Sequence, residues 1–233
     1  MTEKLSPAAV SALSATMLIT LWAKAVEYKR SDALLRDAEA ARMLELIDFD
    51  FSILTGARAS QVGCCGRAAM LDDYIRQFLA EHPDAVVVHI GAGLDARYER
   101  LGHPPVAAWY ELDLPPVIEL RRRLLPESGN VYLPASMLDE SWMQTAAAHG
   151  KPVLLVAEGV LMYFDRATVQ DWLAKLAQHL CRRIWCSTPC RASWWAASAS
   201  TTRCKKWAKT RPKDRKSTRL NSVTLRSRMP SSA

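Results

Sequence analysis

The chain has 233 residues, enough for a domain with a sizeable core, and 49% hydrophobic residues, which excludes a disordered polymer. Its net charge of +7 is unevenly placed: residues 181–233 carry 14 of the 31 Lys and Arg and a single acid, Asp214, while residues 1–180 carry 17 bases against 23 acids. A nucleic-acid-binding protein inferred from net charge would therefore rest on the tail alone, and six cysteines without C-x-x-C spacing exclude a zinc or disulfide scaffold and point to a reduced, cytoplasmic protein.

In chain order, residues 8–25 are mostly apolar. Thr2-Glu3-Lys4 gives no positive leader, and Ser11, Ser14, Thr16 and Thr20 interrupt the run, so it reads neither as a secretion signal nor as a membrane span. It is read as a helix continuing through Tyr28 that covers an active site or completes a core. Helical spacing returns over 33–47 (Leu34, Leu35, Ala38, Ala41, Leu44, Ile47) and stops at Asp48-Phe49-Asp50-Phe51. A further helix is predicted over 66–81, with Met70, Leu71, Tyr74, Ile75, Phe78 and Leu79 on one face and His82-Pro83-Asp84 as its stop. Residues 1–84 are thus expected to form a helical cap.

The most informative stretch follows, V-V-V-H-I-G-A-G-L-D-A-R over 86–97. A β-branched apolar run without alternation reads as a parallel strand buried on both faces. Gly91 and Gly93 allow a sharp turn and close approach of backbone to a ligand, and the polar segment beyond reads as a helix start that favours an anionic or polar group. Residues 107–113 form a second strand ending in Glu111 and Asp113, the latter twenty positions after Gly93. That spacing suits a carboxylate accepting hydrogen bonds from ribose hydroxyls, beside the plainer reading of a solvated strand end.

Residues 115–125 are expected as a basic helix whose Arg121-Arg122-Arg123 run is a solvated face. Strands follow at 131–136 and 152–157, with a helix near Trp142 between them. After Glu158-Gly159-Val160-Leu161-Met162-Tyr163-Phe164, Asp165 is positioned to cap a helix carrying Val169, Trp172, Leu173, Leu176 and Leu180. Strands alternating with helices predict an α/β fold with a parallel sheet and a ligand at the strands' carboxyl ends.

Four segments in this order, G-A-G-L-D-A-R, Y-E-L-D-L-P, A-S-M-L-D-E-S-W and A-E-G-V-L-M-Y-F, resemble the leucine carboxyl methyltransferase family, in particular its bacterial polyketide O-methyltransferase branch of the tetracenomycin type. The resemblance covers roughly residues 10–180. It implies a class I, Rossmann-like methyltransferase fold, S-adenosylmethionine as cofactor and a small-molecule or peptide acceptor methylated on a carboxylate or hydroxyl. It also implies roles: Gly91 and Gly93 beside the methionine part, Asp95 and Arg97 holding the loop or its polar end, and Asp113, with Glu111, at the ribose. Ser136, Met137 and Leu138 would edge the adenine, and Glu158 and Arg67 would meet the cofactor's amino acid portion. Arg67 has an alternative, pairing with Asp72 or Asp73 on its own helix, and Met137 and Leu138 have one as core residues. Because in-line positioning supplies most of the barrier reduction, potentially ~7–11 kcal/mol, no general base is named; nothing in the sequence aims Tyr163 or His89 at an acceptor. The alternatives are an NAD(P)-dependent oxidoreductase on the same Rossmann-like start and a binding module using the basic tail. Neither nucleic acid nor membrane is expected as a partner.

The composition changes at Cys181, and residues 181–233 show no helical or strand period. Ile184-Trp185-Cys186-Ser187-Thr188 can be encoded ATA-TGG-TGT-TCG-ACA, which read two bases later gives M-V-F-D; the same choice extended over the flanking residues yields P-A-D-M-V-F-D-T-L-P, a strand like the family's fifth, and D-R-K-S-T-R-L-N-S from Asp214 resembles a translated sequencing adapter. The tail is therefore expected as a frameshift and adapter scar rather than a basic disordered tail. The sheet is expected to end after the fourth strand and its helix, leaving 152–157 as an unpaired edge, with poor solubility and no activity as the consequence.

Overall fold

A computed structural model describes residues 5, 15–56, 58–180 and 184–187. The segment read as adapter lies outside the described residues.

Among the described residues three α-helices and a 3₁₀ turn (Phe51–Leu54) precede the sheet: α1 (Ala15–Tyr28), α2 (Ala38–Leu46) and α3 (Arg58–Glu81). Asp37 caps α2, its Oδ1 accepting the Ala40 amide at 2.8 Å. Then β1 (Val86–Ile90), the single-turn α4 (Arg97–Arg100), β2 (Ala108–Asp113), α5 (Pro115–Leu124) and β3 (Val131–Pro134) follow. The chain continues through α6 (Ser141–Ala148), β4 (Val153–Ala157), a 3₁₀ turn at Leu161–Tyr163, α7 (Arg166–His179) and β5 (Ile184–Ser187). Prolines 115 and 116 open α5, where missing amides cost nothing. Asp165 caps α7 through the Thr168 amide at 2.9 Å, as its position in the sequence predicts.

The sheet is parallel throughout, in the order β3-β2-β1-β4-β5. Strand β1 lies at its centre, in register Val88↔Tyr110 with β2 and Val88↔Leu155 with β4. All five of its residues are buried, which is why it reads as an unbroken apolar run. Each such aliphatic side chain stabilises by roughly 1.5–3 kcal/mol. Val86, Val88 and Ile90 pack on one face with Trp142 and Met143 of α6 and Trp172 and Leu176 of α7. Val87 faces the other way, with Leu154, Val156, Trp109 and Ile75 of α3. Helix α1 joins two further clusters, through Leu18 and Leu21 with Met43, Leu120 and Leu124, and through Trp22 and Ala23 with Cys65 and Ala68. The strand order reverses between β1 and β4, and at such a switch point the strands' carboxyl ends open a crevice.

The sheet does not end at β4. Val153, Leu154, Leu155 and Val156 pair with Ile184, Trp185, Cys186 and Ser187, so β4 is interior and the expected unpaired edge at 152–157 is absent. The argument for aggregation from that edge falls with it. Four residues suffice for a parallel ladder because its hydrogen bonds come from the backbone. The two arginines before Ile184 obscured the signal, since a four-residue run has too little length to show a period.

Among the described residues no helix is long and apolar enough to cross a membrane.

Candidate functional site

The loop after β1 is built by backbone. The Gly91 and Ala92 amides donate to the Leu112 carbonyl at 2.8 and 3.2 Å, folding the loop onto the tip of β2. Gly91 has φ +64°, and a Cβ there would overlap the Val160 side chain; Gly93 has φ +51° and lies under Met17 of α1. Both positions favour glycine, for which left-handed backbone is cheap. The Gly93 amide donates to Asp113 Oδ2 at 2.8 Å and the Leu114 amide to Oδ1 at 2.7 Å. Burial pushes the Asp113 carboxyl above its usual range, against the lowering effect of these two amides. A carboxylate has about four lone-pair sites. Asp113 thus keeps capacity for two further donors.

Across the switch point, Glu158 at the end of β4 takes Arg67 Nε at 2.8 Å on Oε1 and Arg97 Nη2 at 2.5 Å on Oε2. Burial would raise the Glu158 carboxyl, but Arg97, with Lys24 and Arg67, outweighs it and holds it below the usual range. The pairing of Arg67 with its own helix does not form: Asp72 binds Arg97 and Arg100, and Asp73 binds Arg76. The Arg67 side chain is 35% exposed. Its guanidinium therefore has one face on Glu158 and access to solvent.

Asp95 and Arg97 lie behind the loop. Asp95 pairs with Lys24 at 2.7 Å, Arg100 at 2.8 Å and Arg97 at 3.2 Å. Burial opposes its ionisation, yet Arg100, Lys24 and Arg97 hold it well below the usual carboxylate range. Arg97 is wholly buried and donates through Nε to Asp72 at 2.9 Å.

Glu111 is buried and engaged on both oxygens, by Trp109 Nε1 at 2.9 Å and His89 Nδ1 at 2.8 Å, with Arg121 Nη2 at 3.4 Å. Although burial works against it, Arg121 and His89 keep the Glu111 carboxyl below its usual range. The ionised Glu111 can only accept, so His89 donates through Nδ1. Its Nε2 lies 3.4 Å from Arg97 Nη1 and 3.9 Å from Asp95 Oδ2.

At the end of β3, Ser136 Oγ accepts the Leu138 amide at 3.2 Å. Met137 is buried in the core with Trp142, whose Nε1 donates to the Met137 carbonyl at 3.1 Å; Leu138 packs partly buried against the same cluster. On the opposite rim Tyr163 Oη donates to Thr16 Oγ1 of α1 at 3.2 Å.

The structure therefore gathers Gly91, Gly93 and Asp113 on one side of the switch point and Arg67, Glu158, Asp95 and Arg97 on the other. It sets Glu111 and Met137 in the interior. Sequence reasoning missed Lys24, Asp37 and Arg100 and named Asp72 only as a helix partner for Arg67, whereas Lys24, Asp72 and Arg100 are partners of these groups and Asp37 is a partner of Arg100. It read Arg121 as part of a solvated face, whereas Arg121 is fully buried and only Arg122 and Arg123 point outward. A helical period would have flagged Arg121, since Ile118, Leu120 and Leu124 lie on the same buried side.

A parallel 3-2-1-4-5 sheet with a glycine loop latched to an acid at the tip of β2 is an α/β architecture of the nucleotide-cofactor class. The chain belongs to the leucine carboxyl methyltransferase family, whose model matches residues 17–177. The tetracenomycin polyketide synthesis O-methyltransferase TcmP of Streptomyces glaucescens is 40% identical over 166 residues, 71% of this chain and 61% of that protein. The S-adenosyl-L-methionine-dependent methyltransferase dpfgK of Gibberella zeae is 30% identical over 179 residues, 70% of this chain and 60% of that protein. The chain spans about three fifths of the length of these curated relatives. A solved N-methyltransferase, NodS of Bradyrhizobium japonicum WM9 with S-adenosyl-L-homocysteine, aligns over 70% of this chain and 68% of its own at 18% identity and a TM-score of 0.38, a likeness too distant to bear on function. None of these matches supports the oxidoreductase alternative.

Proposed function

We propose that this chain carries the cofactor site of a cytoplasmic S-adenosylmethionine-dependent O-methyltransferase whose acceptor is a small molecule of polyketide type. The observation that carries the reading is the Asp113–Gly93 latch: it turns the β2 carboxylate toward the crevice with lone pairs to spare for two vicinal hydroxyls. The S-adenosyl-L-methionine-dependent relative from Gibberella zeae supports the cofactor, and the polyketide relative supports the acceptor class.

The residues present fit that cofactor. Gly91 and Gly93 keep side chains out of the loop, Arg67 offers unshared guanidinium N–H groups to a carboxylate, and Glu158 keeps lone pairs for an ammonium. The turn at Ser136, Met137 and Leu138 is assigned the adenine edge, with Leu138 the partly buried member. Asp95 and Arg97 hold the loop from behind, and Glu111 acts through His89 and Arg121 rather than by touching ligand. When bound, S-adenosylmethionine supplies an electrophilic methyl group. The chain's own contribution is orientation. No base is assigned, since both His89 nitrogens are engaged inside the core. Free Cys64 and Cys65 accord with a reducing compartment.

The test is calorimetry of the 233-residue chain with S-adenosylmethionine and, separately, NAD, followed by transfer of labelled methyl to phenolic and carboxylic polyketides. Binding of the first without the second, with label on an oxygen, is expected. Binding of NAD alone overturns the reading.

A further inference from the structure

We propose that Arg121 is a positioning residue for the ribose end of the cofactor site, acting through the Gly93 carbonyl; the inference rests on the cofactor reading above. Arg121 reaches inward from α5, and its Nη1 donates to the Gly93 carbonyl at 2.9 Å. Nη2 lies 3.4 Å from Glu111 Oε1, and the guanidinium carbon lies 4.9 Å from the centre of the Tyr132 ring. The side chain is wholly buried, and neither Nε nor Nη2 has a hydrogen-bond partner.

A guanidinium buried with Nε unbonded and Nη2 no nearer than 3.4 Å to Glu111 gives up hydrogen bonds that it would keep in water. What the arginine provides is a grip on one atom of the loop. Gly93 is the loop residue with the least intrinsic restraint, at φ +51°. Its amide belongs to the peptide plane before it and is held by Asp113; its carbonyl belongs to the plane after it and is held by Arg121. Fixing both planes fixes φ and ψ together. With Arg121 removed, the second plane is free to rotate, the amide leaves Asp113 for part of the time, and the carboxylate loses its set direction toward the hydroxyls. Glu111 sets Arg121 in turn, and His89 and Trp109 set Glu111. The positioning chain thus begins in the core of β1 and β2.

The experiment is a double-mutant cycle on the full chain, read by S-adenosylmethionine affinity in calorimetry. Arg121→Met and Asp113→Asn are each expected to weaken binding about tenfold or more. Because both act through Gly93, Arg121→Met should cost less than about twofold further when Asp113→Asn is already present. Amide exchange at Gly93 should quicken in Arg121→Met with little change in α7. Arg121→Lys retains one donor and is expected to fall between the parent and Arg121→Met. It carries the same cycle if Arg121→Met does not fold. Additive losses, or parental affinity in a folded Arg121 variant, overturn the proposal while leaving the cofactor reading intact. Failure of the unsubstituted chain to bind S-adenosylmethionine overturns both.

Discussion

Arg97 Nη2 donates to Glu158 Oε2 at 2.5 Å, tying the loop after β1 to the end of β4 across 61 positions of sequence. The contact is the visible end of a buried cluster in which Lys24, Arg67, Arg97 and Arg100 meet Asp37, Asp72, Asp95 and Glu158. Four cations face four carboxylates, drawn from α1, the cap of α2, α3, the glycine loop, α4 and the end of β4. Helices and sheet are thereby joined beneath the crevice by groups that also shape it. A cluster of balanced charge tolerates burial because each member is paired; remove a fully buried member such as Arg97 and its partners stay buried without compensation.

Arg97→Met should therefore destabilise the chain by about 3–5 kcal/mol, the usual cost of orphaning a buried partner. Urea unfolding followed by circular dichroism measures it. Arg76→Met, which breaks an exposed pair with Asp73, serves as the control and should change stability by less than about 1 kcal/mol. Equal effects at the two sites would show that the cluster adds nothing beyond a surface pair.

Arg67 and Asp113 should behave in the opposite way, with small effects on stability and large ones on binding. Arg67 is 35% exposed, so solvent screens its pair with Glu158, and Arg67→Gln should cost stability less than about 1 kcal/mol. Asp113→Ala should weaken S-adenosylmethionine by about 1–3 kcal/mol through lost charged hydrogen bonds. Calorimetry and thermal melts on the same samples separate the two quantities. Unchanged affinity in either variant removes that residue from the site.

Gly91→Ala tests the loop itself. Its φ of +64° strains any side chain, and the new Cβ would overlap Val160, a β-branched residue with little freedom to move. A loss of roughly 1–3 kcal/mol is expected. Adding Val160→Ala should recover the steric part and leave the backbone part. If the double variant is no more stable than Gly91→Ala, the contact with Val160 is not what excludes a side chain.

The fold was legible wherever burial imposes a period or its absence. Strands β1, β2 and β4 stand out because parallel strands covered on both faces need unbroken apolar runs, and the loop stands out because two left-handed positions need glycine. Short β5 escaped this test, having four residues and two arginines ahead of it. The site was half legible. Asp113 and Glu158 sit at strand ends, where a carboxylate draws attention. Asp72, Lys24 and Arg121 sit on helices, where a charged side chain is by default read as solvated although all three are interior. Resemblance to the family supplied Arg67, which no period singles out. Pairwise charge partners remain invisible in one sequence because they join residues up to 91 positions apart.

Acid should abolish cofactor binding before it unfolds the chain. Asp95, Glu158 and Glu111 are held below their ordinary values of 3.8, 4.5 and 4.5 by neighbouring cations, against the opposing effect of burial. Groups with a depressed folded pKa contribute stability that is complete above the unfolded value and is lost as the pH falls through the folded one. Their contribution therefore persists down to about pH 4.5 and declines below it. Asp113 and, within the cluster, Asp37 run the other way: burial raises both above 3.8, so in the folded chain they take up a proton at a pH where Asp95 is still ionised. A protonated Asp113 accepts less strongly from ribose hydroxyls. Titrations of S-adenosylmethionine at stepwise lower pH, paired with thermal melts, should show affinity falling before the stability that Asp95 contributes is lost. Coincident loss of binding and fold would place the acid sensitivity in the buried cluster instead of Asp113. With Asp113→Asn the remaining affinity should become flat over the same pH range, a change that unfolding cannot mimic.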